Sequence, residues 1–332
     1  PSTANISQGF FSAILERSDL FGRIDGDVAI LEMDEGHAAE ITKRVAPNQS
    51  TILNVLEDQL DRFVDPAIVR DKLAVVASRT KGAVLLNADD QNTILIGSEL
   101  ASKASVSWFG IDSGLLDASK NGLGAAPTYL PDLERPSVRA EIRSVTGTTA
   151  VAQLDGANQS FNLPNRGLHY ALDSIAALLS AKTYLGADFD FPLASKVLDE
   201  LPPVFARDEM ALIRDRSVRL MLVQNPTSFQ LNLDKFKTTP HPLMIMAGRD
   251  IHDPSWLWTV DFSKLDFVDV VSGFNAHELA LRLHYAGVHV HRVEPKIDEA
   301  NEHFALLSGS EPTIVFSADA MRRTRRYLGL AK

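Results

Sequence analysis

Three short apolar runs in the first ninety residues each lead into carboxylates or amides. Residues 27–32 read DVAILE, ending in Glu32, and Asp34 and Glu35 follow. Residues 50–55 read STILNV, with Asn54 near the end and Asp58 and Asp61 just beyond, while residues 82–86 run into Asn87, Asp89 and Asp90. Carboxylates gathered past the C-terminal ends of parallel strands are what a Mg²⁺ ion bridging nucleotide phosphates needs, and those strand ends form the crevice of an open α/β sheet. Taken singly, the same Asp and Asn residues read as solvated turns.

The second half of the chain offers another cluster. In RDIHDPSWLW, Asp250, His252, Asp253 and Ser255 precede two tryptophans, directly after an apolar run. An acid there can orient a histidine in a hydrolytic triad; the alternative is an Asx turn before Pro254, with tryptophans filling a core or interface. His289 and His291 alternate on one strand face, a spacing open to a metal reading or to a plain half-exposed face. Arg322, Arg323, Arg325 and Arg326 suit the exposed face of a terminal helix. No GxxxxGK[ST] phosphate loop occurs in these residues.

The elements that must position these groups alternate between strand-like and helix-like patterns. Helical apolar spacing at Ile68, Val69, Leu73 and Val76 predicts a helix over 66–77, and another amphipathic stretch covers 170–186. Residues 97–162, rich in Gly, Ser, Ala and Pro, read as an inserted loop with a small antiparallel sheet. VRLMLV at 218–223 and PLMIMAG at 242–248 restart the alternation. The fold class expected is α/β: a nucleotide-binding α/β domain over 1–206 with a β insertion at about 97–162, then a second α/β domain over 207–332.

Composition narrows the chemistry. The 332 residues are 45% hydrophobic and 23% charged, with a net charge of −10 and no cysteine. The acidic balance argues against a nucleic-acid partner, and without cysteine there is no disulfide, thiolate zinc site or thiol nucleophile from this chain. The apolar runs are strand-length, too short for a membrane helix.

In their order, several segments resemble the MurT family, the Mur-ligase-like subunit of lipid II isoglutaminyl synthase that works with the glutaminase GatD. They are PSTANISQG, LEMDEGH, ILNVLEDQLDRF, LLNADD, GLHYALDSIAALLSAKTYLG, FARDE, LVQNPTSF, DPSWLWTVDF and VSGFNAHELALRLHYAGV. The resemblance implies a Mur-ligase-like fold and a cytoplasmic, ATP- and Mg²⁺-dependent ligase. Its reaction would be amidation of the α-carboxyl of D-glutamate in the stem peptide of lipid II at the membrane surface, with ammonia from a GatD-like partner. It makes Glu32 the Mg²⁺ ligand, lines the nucleotide crevice with Asn54, Asp58, Asn87, Asp89, Asp90 and Arg207, and gives Asp253, or Asp250 in its place, to a Cys-His-Asp triad completed by the partner. It also implies a phosphate loop upstream of Pro1. The sequence departs from the family pattern at Tyr170, Asp173, Ala206, Gln224 and Thr259 and lacks the family's paired CxxC ribbon, so no zinc is expected. A scaffold that keeps the partner surface without catalysis, and another Mur- or folylpolyglutamate-type ligase, are the alternatives.

Overall fold

The structure, a computed structural model, describes residues 6–24, 26–56, 65–100, 104–118, 123–128, 130–201 and 207–330. The chain divides into two compact units whose main boundary falls between Glu200 and Leu201.

The first unit contains α1 (Ser7–Arg17), α2 (Glu35–Thr42), β1 (Gln49–Ile52), α3 (Pro66–Arg79), β2 (Ala83–Asn87), α4 (Gln91–Ser98), β3 (Ser105–Ile111), α5 (Ser113–Asp117), β4 (Ala140–Thr146), β5 (Thr149–Leu154), β6 (Ala157–Asn162), α6 (Leu168–Leu185) and α7 (Phe191–Asp199). Its six strands lie in the order β1-β2-β3-β4-β5-β6. The first four are parallel, β5 pairs antiparallel with β4, and β6 antiparallel with β5. Every residue of β2 is buried, as expected of a central strand covered on both faces. Ile52, Val84, Leu86 and Ile96 pack with Ala77 of α3 on one side. The helix starts are written in sequence: Asp65 accepts from the Ala67 amide ahead of Pro66, and Asp90 caps α4.

The second unit holds β7 (Arg207–Ile213), β8 (Arg216–Leu222), α8 (Pro226–Asp234), β9 (Leu243–Met246), β10 (Phe267–Ser272), α9 (Ala276–Tyr285), β11 (His289–Glu294), α10 (Ile297–Leu306), β12 (Thr313–Phe316) and α11 (Ala318–Tyr327). The strand order is β11-β10-β9-β12-β8-β7, parallel except for β7. β9 shows why this is a two-faced sheet. All four of its residues are buried, yet Leu243 and Ile245 join the core beneath α8 and α9, while Met244 and Met246 join the core beneath α10 and α11. Alternate side chains of one strand thus feed two separate cores.

Two expectations are corrected. Residues 27–32 form no strand: among the described residues no ladder bond reaches them, and Val28, Ile30 and Leu31 are 54, 90 and 49% exposed. An apolar run becomes a strand only where a neighbour takes up its backbone groups, and β1 pairs with β2 alone. The antiparallel strands expected in the insertion exist as β4–β6, but they extend the parallel sheet through the β3–β4 pairing rather than standing apart from it. β3, whose sequence SVSWFGI lies among small residues, belongs to the main sheet.

Candidate functional site

In the first unit the C-terminal ends of β1, β2 and β3 do meet. The loop after β1 is tied to the loop after β2, because the Val55 amide donates to Asp90 Oδ2 at 2.6 Å. The other Asp90 oxygen accepts from the Asn92 amide at 2.8 Å. Burial pushes the Asp90 carboxyl up, against these hydrogen bonds. Asp89 is equally engaged: its oxygens accept from the Ile111 amide at 2.6 Å and from Arg135 Nε at 2.8 Å. Burial raises its pKa too, despite the guanidinium. Arg135 also reaches Glu141 at 2.9 Å, and Arg143 holds the same buried carboxylate at 2.8 Å. Gly110 makes room for this network, since a Cβ there would lie 2.6 Å from Asp89 Oδ2.

Asn87 is buried and accepts from the Asp89 amide at 2.9 Å, and Asn54 is partly exposed beside Val55. Glu32 is exposed on the extended segment rather than at a strand end. Asp58 lies outside the described residues, as does the side chain of Arg207, whose backbone opens β7. No three His, Asp or Glu side chains among the described residues are placed to hold a metal ion. Asp89 and Asp90 are thus both turned to protein donors.

These bonds give a test of their own. Asp90→Asn puts an amide NH₂ against a backbone N–H, leaving a buried donor unpaired at a cost of about 1–3 kcal/mol. For the wild type the sign is fixed by the raised pKa. Between the ordinary aspartate range and the higher folded value, the native state binds more protons than the unfolded chain, so this group lowers stability as pH rises through that window. Urea midpoints from pH 4 to 7 should show that contribution vanish in Asp90→Asn; an unchanged profile would mean Asp90 does not titrate in the native state.

In the second unit, the loop after β9 carries both candidate triad acids, and they are used differently. Asp250 caps α11, accepting from Ser317 Oγ at 2.6 Å and from the Ala318 and Asp319 amides at 2.8 and 3.0 Å. Asp253 is partly exposed and begins a two-turn 3₁₀ helix at Pro254–Thr259, accepting from the Ser255 amide at 2.9 Å. Hydrogen bonds from the Ser255 side chain and backbone hold its carboxyl below the usual range, hence ionised at neutral pH. No hydrogen bond joins it to His252 among the described residues, so any histidine it orients comes from elsewhere.

The loop is fixed from behind. Buried Asn275, just past β10, donates to the carbonyls of Gly248 and Ile251 at 3.0 and 2.8 Å. The same unit exposes three large aromatics: Phe274, Trp258 and Tyr285 are 65, 49 and 71% exposed, with Arg249 over Phe274 and Arg282 over Trp258. Exposed aromatics interleaved with arginine are the composition of a protein interface. Sequence reasoning missed Arg135, Glu141, Asn275 and Ser317. The available signals were an acid inside the apolar-alternating segment VRAEIRSV and an asparagine just before a helix.

Comparison with known proteins agrees with this architecture. Residues 222–317 match the MurT ligase C-terminal family. The MurT subunit of the glutamine-hydrolysing lipid II isoglutaminyl synthase of Streptococcus pneumoniae is 25% identical over 334 aligned residues, covering 86% of this chain and 70% of that one. Among solved structures, the pseudomurein peptide ligase type C of Methanothermus fervidus superposes with a TM-score of 0.72 at 16% identity, over 92% of this chain and 69% of that one. The MurF ligase of Thermotoga maritima, solved with ADP, gives 0.59 at 15% identity, over 92% and 68%. The chain therefore has the Mur-ligase fold; its residues 222–317 match the MurT ligase C-terminal family, and over most of its length it is similar to a MurT subunit.

Proposed function

We propose that the protein is the ligase-like subunit of a two-subunit, glutamine-hydrolysing amidating enzyme. In this reading a Mur-ligase-type central domain spans 1–206 and the MurT-type domain 207–332. A GatD-like glutaminase docks on the aromatic surface of the latter, and the carboxylate amidated is the α-carboxyl of D-glutamate in lipid II, reached from the cytoplasmic side. The observation that carries the proposal is Asp253: an ionised, partly exposed acid on a pinned loop, hydrogen-bonded to no histidine among the described residues, in a unit that also exposes Phe274, Trp258 and Tyr285. In such a complex it would donate no proton; it would hold a partner histidine in one tautomer and stabilise its charged form.

ATP with Mg²⁺ belongs to the proposal as the energy source of the amide bond, resting on the likeness to MurT and to an ADP-bound ligase. Glu32 is the carboxylate this reading gives to the metal, with Asp58 assigned to the nucleotide crevice. The engagement of Asp89 and Asp90 favours a second reading, in which the fold serves as a scaffold for the glutaminase without nucleotide turnover.

Coexpression with a GatD-like glutaminase, followed by incubation with lipid II, glutamine and Mg·ATP, separates the two. Amidated lipid II by mass spectrometry, with one phosphate released per amide, is the expected result. A stable complex with glutaminase activity but no nucleotide-dependent product would replace the enzyme with the scaffold.

A further inference from the structure

At the opposite end of the second sheet from Asp253, where the parallel strands begin, two histidines gather around one buried acid and a third stands beside them. Asp269 on β10 is 4% exposed. One carboxylate oxygen pairs with His291 Nδ1 at 3.0 Å and the other with His241 Nδ1 at 3.2 Å, the latter oxygen also accepting from the Leu243 amide at 2.8 Å. Phe267, two residues before Asp269, stacks on the His291 ring at 5.6 Å and 10° and meets the His241 ring edge-on. His291 is thus fixed in orientation, with Nδ1 committed to the carboxylate and Nε2 left to face outward. Its side chain is 47% exposed.

His289 stands two residues earlier on β11, and its ring centre lies 4.8 Å from that of His291 at an interplanar angle of 68°. That separation suits two ligands of one metal. A metal bonded about 2.0–2.1 Å from a nitrogen of each ring lies about 3.2 Å from each ring centre, which places two neighbouring imidazole ligands about 4.5–5.2 Å apart across the bond angles of square and tetrahedral sites. The carboxylate behind His291 is the outer-shell partner that metal-ligating histidines use to fix the tautomer and raise ligand basicity.

We propose that His289 and His291 form a chelating site for a divalent transition metal of the Zn²⁺, Ni²⁺ or Cu²⁺ class, oriented by Asp269. No third His, Asp or Glu among the described residues converges on the same point, so water or an incoming ligand completes the coordination shell. Imidazole donors select these metals over Mg²⁺ and Ca²⁺, which take oxygen ligands. The site uses no residue of the amidation proposal and stands or falls apart from it.

Calorimetric titration of ZnCl₂ into the full chain, in a large excess of MgCl₂, tests this. One equivalent should bind, at least tenfold more weakly in His289→Ala and in His291→Ala and about 10–100-fold more weakly in Asp269→Asn. Both histidines are surface residues of an outer strand, so their variants fold even if Asp269→Asn does not. Nitrogen-15 NMR should place the metal-induced shift of His291 on Nε2, with Nδ1 keeping its proton toward Asp269. Absence of saturable binding, or affinity and stoichiometry unchanged in the His289→Ala/His291→Ala double variant, overturns the proposal.

Discussion

Asp253→Asn should lower glutamine-dependent amidation by the reconstituted complex by about 10³–10⁴-fold, the loss seen when a triad acid can no longer hold its histidine in the productive tautomer. The substitution is gentle on this chain. An asparagine oxygen still accepts from the Ser255 amide, so the turn at Pro254–Thr259 keeps its start. Thermal stability and complex formation should therefore match wild type. Amidation driven by added ammonia should also be unchanged, because it bypasses glutamine hydrolysis. Asp253→Glu, with the charge kept but displaced, should recover part of the activity. Glutaminase turnover that is equal in Asp253→Asn and wild-type complexes would remove the residue from the triad and leave the loop as a structural turn.

Gly273→Ala should be among the most damaging single-atom-scale changes in the chain. Its φ is +98°, outside the range of side-chain-bearing residues, and a Cβ would fall 2.2 Å from the Ala247 carbonyl oxygen. That oxygen cannot retreat, since it accepts from the Asn275 amide at 2.9 Å while the Ala247 amide is bonded to Ser272 at 2.9 Å. Backbone strain and overpacking together predict a loss of about 3–5 kcal/mol, read as a lower urea midpoint. Gly287 supplies the control. Its φ of +80° is also left-handed, but nothing lies within 4 Å of its absent Cβ, so Gly287→Ala should cost only about 1–2 kcal/mol. Equal losses at the two positions would show that conformation alone, and not the approach of Ala247, governs the first.

The second unit was the more legible in sequence because its central strands are buried on both faces and separated by well-formed helices. VRLMLV, PLMIMAG and the run at 313–316 became β8, β9 and β12 within one or two residues. The first unit was harder for opposite reasons at its two ends. DVAILE has the composition of a strand, but hydrogen-bonded partnership is a property of the neighbours and not of the segment. β3 was hidden because SVSWFGI alternates serine and glycine with its apolar residues and so resembles the loops around it.

The acids illustrate the same limit at the level of chemistry. Asp89, Asp90, Asp250 and Asp253 all follow strands in similar polar contexts. Three of the four are consumed by backbone amides, a hydroxyl or a guanidinium contributed by segments up to about seventy residues away. A carboxylate spent on such donors is indistinguishable in sequence from one held open for a ligand. What sets Asp253 apart is where its loop is tied, and that depends on Asn275 and Ser317 rather than on the acid itself.

The cap that Asp250 places on α11 has a dynamic consequence. The loop bearing Asp253 follows β9, and α11 closes the described chain, yet Asp250 and the Gly248–Ser317 hydrogen bond at 2.8 Å fasten the two together. Neither can open without releasing donors or acceptors of the other, so in native-state hydrogen exchange they should behave as one cooperative unit. The Ala318 and Asp319 amides and the amides of the 248–253 loop should then exchange with a common free energy of opening. Weakening α11 would be felt in the loop that carries Asp253 as a rise in the population of its open form.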